Sequence, residues 1–151
     1  MKAILQRVTC ASVTVDGAVV GEISQGFLIL LGVEQGDDEK EASVLADIIA
    51  GLRIFTDQND KMNLSLADVN GSALVISNFT LCADCSHGRR PSFIGAARPE
   101  IANPLYEYFC QKLLDNGVGV VEKGIFGADM QVSLLNDGPV TIDINSKDLK
   151  R

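Results

Sequence analysis

Histidine is nearly missing from this chain: His87 is the only one among 151 residues, and there is no tryptophan at all. A Ser-His-Asp triad would need that one imidazole beside a nucleophile and a carboxylate that fixes its tautomer, and the Gly- and Arg-rich loop around His87 offers no such partner in sequence. No apolar run approaches the ~18 residues of a membrane-spanning helix, and "MKAILQRVTC" has neither a long apolar core nor a small-residue cleavage site. No membrane partner and a cytoplasmic location are therefore expected. Cations are also scarce, 13 Lys and Arg against 20 Asp and Glu for a net charge of −7, which argues against DNA or a whole nucleic-acid duplex as partner, because phosphate binding draws on Lys and Arg. Distribution qualifies that sum. Acids cluster in "EQGDDEKE" (34–41), whereas "KAILQR" (2–7) and "HGRRPSF" (87–93) are locally basic.

Four cysteines, Cys10, Cys82, Cys85 and Cys110, stand in a chain long enough to bury a core without disulfides. Reduced thiols are the expectation. "CADCSH" (82–87) spaces Cys82, Cys85 and His87 in a way that suits zinc, but a fourth ligand has no motif, and Gly, Arg and Pro follow where a redox CxxC would open a helix.

The remaining pattern predicts a single mixed α/β domain over 1–151, in the order β2-(βα)2-β3, its two helices covering one face of the sheet. "ASVTVDGAVVGEI" (11–23) alternates β-branched residues around Asp16-Gly17, a hairpin signal. "FLILLGV" (27–33) reads as a strand buried on both faces. From Asp38 to Arg53 the residues Ala42, Leu45, Ile48, Ile49 and Leu52 recur at helical spacing behind acids suited to an N-terminus. A polar loop (56–63) leads to the strand "ALVISNF" (73–79), and a second helix is expected from about Pro99 to Asn116, with Pro104 forcing either a late start or a kink. Three short strands then follow at 118–123, 130–135 and 140–144, and the tail from 144 to 151 is expected to fray.

Candidate chemistry is sparse. Thr80 ends the strand "SNFTL" (77–81), where its hydroxyl either bonds to backbone or acts as a nucleophile with Asp84 or His87 as base, and where the N–H groups of Asn78, Phe79 and Thr80 could serve an oxyanion. Arg89 and Arg90 suit a phosphate and Phe93 a base, or the three form a solvated loop. "NDGPVT" (136–141) reads as a turn joining two strands.

Together, "QRVTCASVTVDG", "GLRIF" with "KMNLS", "SNFTL" with "GRRPSF", and "FGADMQVSLLNDGPVT" resemble the D-aminoacyl-tRNA deacylases from Met1 to about Ile144. The Ser-Gln-x-Thr type of motif falls on residues 77–80 and the Asn-x-Gly-Pro-x-Thr type on 136–141. The resemblance implies that family's fold, a homodimer and no cofactor or metal. It also implies hydrolysis of the ester joining a D-amino acid, or glycine mischarged on alanine tRNA, to the tRNA 3′ end. On it Ser77, Phe79 and Thr80 are the catalytic positions. Gly138 and Pro139, joined by a cis bond and inserted from the other subunit, receive the α-amino group on two carbonyls and leave no room for an L side chain. Asn78, Asn136, Thr141, Arg7, Arg89 and Arg90 support substrate. The 2′-hydroxyl of the terminal ribose and backbone N–H donors carry the chemistry, with a Thr80 nucleophile ranked second. One departure stands out, since Asn78 replaces the family's usual Gln. Two rivals remain open: a metal or redox protein built on Cys82, Cys85 and His87, and a non-catalytic dimeric binding module.

Overall fold

The computed structural model describes residues 1–150. Strands β1 (Lys2–Val15) and β2 (Ala18–Ile23) form the hairpin expected at Asp16-Gly17, whose φ values of 50° and 81° are those of a tight turn that glycine and aspartate tolerate. β3 (Gly26–Gly32) follows, then α1 (Glu39–Gly51), a small hairpin of β4 (Phe55–Thr56) and β5 (Met62–Leu64), β6 (Ser72–Ser77), α2 (Pro99–Asp115), β7 (Val120–Lys123) and β8 (Gln131–Asn145). The path β2-β1-β3-β6-β7 makes one sheet, with β8 paired along the other edge of β1. β3 pairs antiparallel with β1 and parallel with β6, so it sits mid-sheet as its unbroken apolar run predicts.

Both helices lie on one face. Phe27, Ile29, Leu31, Ala73 and Val75 point from β3 and β6 into a core shared with Ala42, Leu45 and Ile49 of α1 and Leu105, Tyr106, Phe109 and Leu113 of α2. Each such fully buried Leu, Ile or Phe contributes roughly 1.5–3 kcal/mol by transfer from water. α1 starts as its sequence dictates, because Asp38 Oδ1 accepts from the N–H groups of Lys40 and Glu41. The opposite face is also dry: Leu28, Leu74 and Ile76 meet Val8, Val13 and Ile23, while Met130, Val132 and Leu134 pack against them. The sheet curls over itself there, with β2 leaning across β6 and β7.

Four expectations need correction. The loop at 56–63 contains the β4–β5 hairpin. α2 starts at Pro99 rather than late and continues through Pro104, an internal proline whose ring forfeits one backbone bond. The strands expected at 130–135 and 140–144 are one, β8, because both halves pair with the same partner: Gln131 to Leu135 with the far half of β1, Thr141 to Asn145 with its near half. Finally, the tail is docked rather than frayed over 144–149. Ser146 is 1% exposed, its N–H donates to Met1 O at 2.8 Å, and its hydroxyl accepts from the Met1 ammonium at 2.9 Å, beside the buried Asp37 carboxylate at 2.8 Å. Among the described residues no helix is long and apolar enough to cross a membrane.

Candidate active site

Where β3 and β6 end, a cleft of about 630 Å³ opens. Its floor is Leu30, Ile76, Met130 and Val132. Its width comes from small residues, Ala96, Ala97, Ala102, Gly127 and Ala128, and its lip carries Phe79 and Phe93, edge to face at 5.1 Å. Phe79 is 58% exposed, uncommon for so apolar a ring, and with Ile94 it leaves an apolar rim facing solvent. Tyr106 also lines the cleft, but its hydroxyl donates to Val75 O at 2.7 Å and burial pushes its pKa well above the ordinary range, so the phenol stays protonated.

The strand expected to reach Phe79 stops at Ser77, and residues 79–82 turn instead into a short 3-10 helix. Asn78 explains why. Its N–H donates to Leu31 O at 2.8 Å, ending the ladder, and its Oδ1 accepts from the Thr80 N–H at 3.3 Å and from the Thr80 hydroxyl. The asparagine is thus an N-cap, spent on its own turn. Two consequences follow for the chemistry. The Thr80 hydroxyl is a donor to an amide oxygen, which cannot take its proton as a base would. Of the two bases weighed for it, the Asp84 carboxylate accepts from the Ser86 N–H at 2.9 Å, its bonds to Ser86 holding its pKa low, and His87 is exposed on the same loop. The Phe79 N–H, at the first position of the turn, has no intrahelical acceptor, and among the described residues it donates to none.

Gly32 is a site residue that sequence reasoning missed. A Cβ there would stand 3.0 Å from Leu81 Cβ and 3.1 Å from Asn78 O, so a side chain at this position would press the turn away from the strand by a few tenths of an ångström.

The second motif is a wide bulge inside β8. From Gln6 to Val8 the pairing takes two steps along β1, but from Thr141 to Asn136 it takes five along β8, so three excess residues loop out opposite Arg7. Gly138 and Pro139 sit in that loop, joined by a cis bond, with Gly138 at φ 131°. Asn136 closes the loop, its Oδ1 accepting from Val140 N–H at 3.2 Å and its Nδ2 donating to Thr141 Oγ1 at 3.0 Å. The asparagine and threonine of the motif are therefore braces for the residues between them. Neither Gly138 nor Pro139 lines the cleft of their own chain.

Arg7, expected to support substrate, is tied to the bulge itself. It is 8% exposed; Nε donates to Asp137 O at 3.1 Å and Nη1 to Ile54 O at 2.7 Å, with the Asp137 carboxylate 3.6 Å away. These two part-buried carbonyls engage Nε and Nη1 of the guanidinium, and Arg89 and Arg90 are exposed on the loop that carries Phe93. The Asp84–Ser92 bridge closes that loop. The cysteines do not converge either. Cys82 is buried and donates to Val33 O at 3.6 Å, burial chiefly raising its pKa, while Cys85 is exposed. Burial pushes the Cys110 thiol up to about 12. Among the described residues no three His, Cys, Asp or Glu side chains come together as a metal ion would require.

This arrangement has relatives. A protein of Pelobacter propionicus named D-aminoacyl-tRNA deacylase is 61% identical over 141 residues, spanning 93% of this chain and 97% of that one. A solved structure named c-Myc DNA Unwinding Element Binding Protein superposes with a TM-score of 0.90 at 39% identity, covering 96% of this chain and 98% of the other. A second, a probable eukaryotic D-amino acid tRNA deacylase, gives a TM-score of 0.78 at 17% identity over 95% and 97%, a likeness of fold alone. The family model described as D-Tyr-tRNA(Tyr) deacylase matches residues 4–145, and the chain belongs to that family.

Proposed function

We propose that this chain hydrolyses the ester between a D-amino acid and the 3′-terminal adenosine of tRNA, releasing both, and that it treats glycine mischarged on alanine tRNA in the same way while sparing L-aminoacyl esters. The observation that carries the reading is a free main-chain donor, the Phe79 N–H, at the mouth of an apolar cleft beside a threonine that has no base. In the reaction that N–H receives the negative charge developing on the ester carbonyl oxygen, which a preorganised amide in a water-poor cleft does effectively. The substrate's own 2′-hydroxyl, adjacent to the esterified oxygen, assists the attack of water. The protein supplies position.

Two subunits complete the site in this reading. The bulge at 137–140 of one enters the cleft of the other, where the Gly138 and Pro139 carbonyls accept the α-ammonium and the surrounding backbone excludes an L side chain. Glycine passes because it has no Cβ. That neither residue lines the cleft of its own chain supports action across a dimer. Arg89 and Arg90 meet the phosphates next to the terminal adenosine, so the −7 net charge is compatible with a grip on one end of the tRNA. Such an enzyme works in the cytoplasm, where charged tRNA is found.

Deacylation of D-Tyr-tRNA and L-Tyr-tRNA tests the activity: the D ester should disappear far above its uncatalysed rate and the L ester at that rate. Decay of the D ester at background would leave a binding module instead. For the mechanism, a terminal 2′-deoxyadenosine should abolish turnover, whereas Thr80→Ala should stay within about tenfold of the parent. The reverse pattern restores threonine as nucleophile.

A further inference from the structure

We propose that Asn78 is a positioning residue for this reaction, acting through the turn it caps: its side chain holds the 3-10 helix so that Phe79 stays at the cleft with its N–H free and the Thr80 hydroxyl stays out of the chemistry. The inference rests on the function proposed above. It concerns the residue at which this chain departs from the Gln of the family's motif.

Asn78 is tied at three points: its N–H to Leu31 O at 2.8 Å, its C=O to the Leu81 N–H at 3.3 Å, and its Oδ1 to Thr80. The first tie fixes the residue to the central sheet. The third fixes the turn to the residue. A 3-10 helix of four residues has little to hold it, since its hydrogen bonds are poorly aligned and it is a single turn bracketed by the Leu81 to Asn78 and Ala83 to Thr80 backbone bonds. The cap adds two bonds at the end where Phe79 lies. Asparagine has the right reach, because its Oδ1 sits where the second N–H of a helix can find it, which is why it ranks among the preferred N-caps. The identity of that oxygen is set by its partner: the Thr80 N–H can only donate, so the amide oxygen must face it.

Asn78 lines the cleft, but its side-chain oxygen is taken up by Thr80. Losing the cap should therefore cost the chemical step and leave binding alone. With D-Tyr-tRNA, Asn78→Ala should lower kcat by about fivefold, the factor corresponding to one typical cap, with KM close to the parent and the thermal midpoint lower by only about 2–4 °C. Asn78→Ser, a different side chain that also caps, should restore most of the loss. Amide hydrogen exchange on the free protein supplies the readout that needs no activity: in Asn78→Ala the amides of Thr80 and Leu81, which donate to Asn78, should exchange faster than in the parent, and in Asn78→Ser they should be protected again. Unchanged exchange in the alanine variant, a loss confined to KM, or a serine variant no better than alanine would each overturn the proposal. If the parent itself fails to hydrolyse D-Tyr-tRNA, the function proposed above fails, and the exchange result still decides whether Asn78 orders the turn.

Discussion

The two motifs are each turned on an asparagine, Asn78 and Asn136, yet they are held in opposite ways. Asn78 bonds two residues ahead and stands on the strand that precedes it, so its turn is built from neighbours in sequence. The bulge at 137–140 is braced locally by Asn136 but fixed to the body of the protein by Arg7, 130 residues away, which also ties it to Ile54 at the end of the α1 loop. A donor that must point into a cleft can be set by a short turn. A pair of carbonyls that must project from a strand needs support from beneath, and a buried guanidinium with its rigid fork of donors gives it.

That contrast can be broken most forcefully at Arg7. Arg7→Ala leaves the Asp137 and Ile54 carbonyls without their donor in a part-buried site, and the loss should be about 1–3 kcal/mol of stability in a denaturant titration, with deacylation falling by at least about 100-fold. Arg7→Lys, which cannot reach both carbonyls in one plane, should recover stability better than activity. Asn136→Ala comes next: the bulge keeps its anchor and loses its brace, so about 1–2 kcal/mol and a roughly tenfold drop in rate are expected. Equal losses from Asn136→Ala and Arg7→Ala would show that the local brace matters as much as the remote anchor. At the other motif, Gly32→Ala pushes a methyl against Leu81 and the Asn78 carbonyl, and should cost about 1–2 kcal/mol while slowing deacylation more than Asn136→Ala does if the turn is the stricter element. The smallest effect lies away from both motifs. Burial works to raise the Glu34 pKa, but the Met1 ammonium, Lys147 and Lys2 together hold it below its ordinary 4.5. A carboxyl lowered in the folded state stabilises above its unfolded pKa, so that contribution should vanish as pH falls below about 4.5, and Glu34→Gln should flatten the acid limb of a thermal-melt series without changing the rate of either ester.

Much of the frame was legible because its signals are local. The Asp16-Gly17 hairpin, the apolar run of β3 and the capped stripe of α1 each state their own conformation within a few residues. The bulge misled for the same reason: Asn-Asp-Gly-Pro is turn chemistry, and only pairing of both flanks with β1 makes it an interruption in one strand. Arg7 carried a signal that went unused, since it follows Ala3 and Leu5 in the buried phase of β1, and a cation in a core phase needs partners. Gly32 carried none, because close approach of a later segment leaves no trace in the residues around it. At Asn78 the sequence shows a departure from the family's Gln, and a short amide after a strand is also the mark of an N-cap.

The pairing of β8 with β1 also bears on how the protein acquires its site. The bulge exists only as a mismatch between two strands drawn from opposite ends of the sequence, so it has no meaning in either strand alone. Contacts so distant along the chain form late, because the closure of a long loop must precede any gain from them. A partly folded molecule could therefore hold the hairpin, β3 and a capped α1 and still lack the loop bearing Gly138 and Pro139. Completion of the sheet and appearance of that loop are a single event.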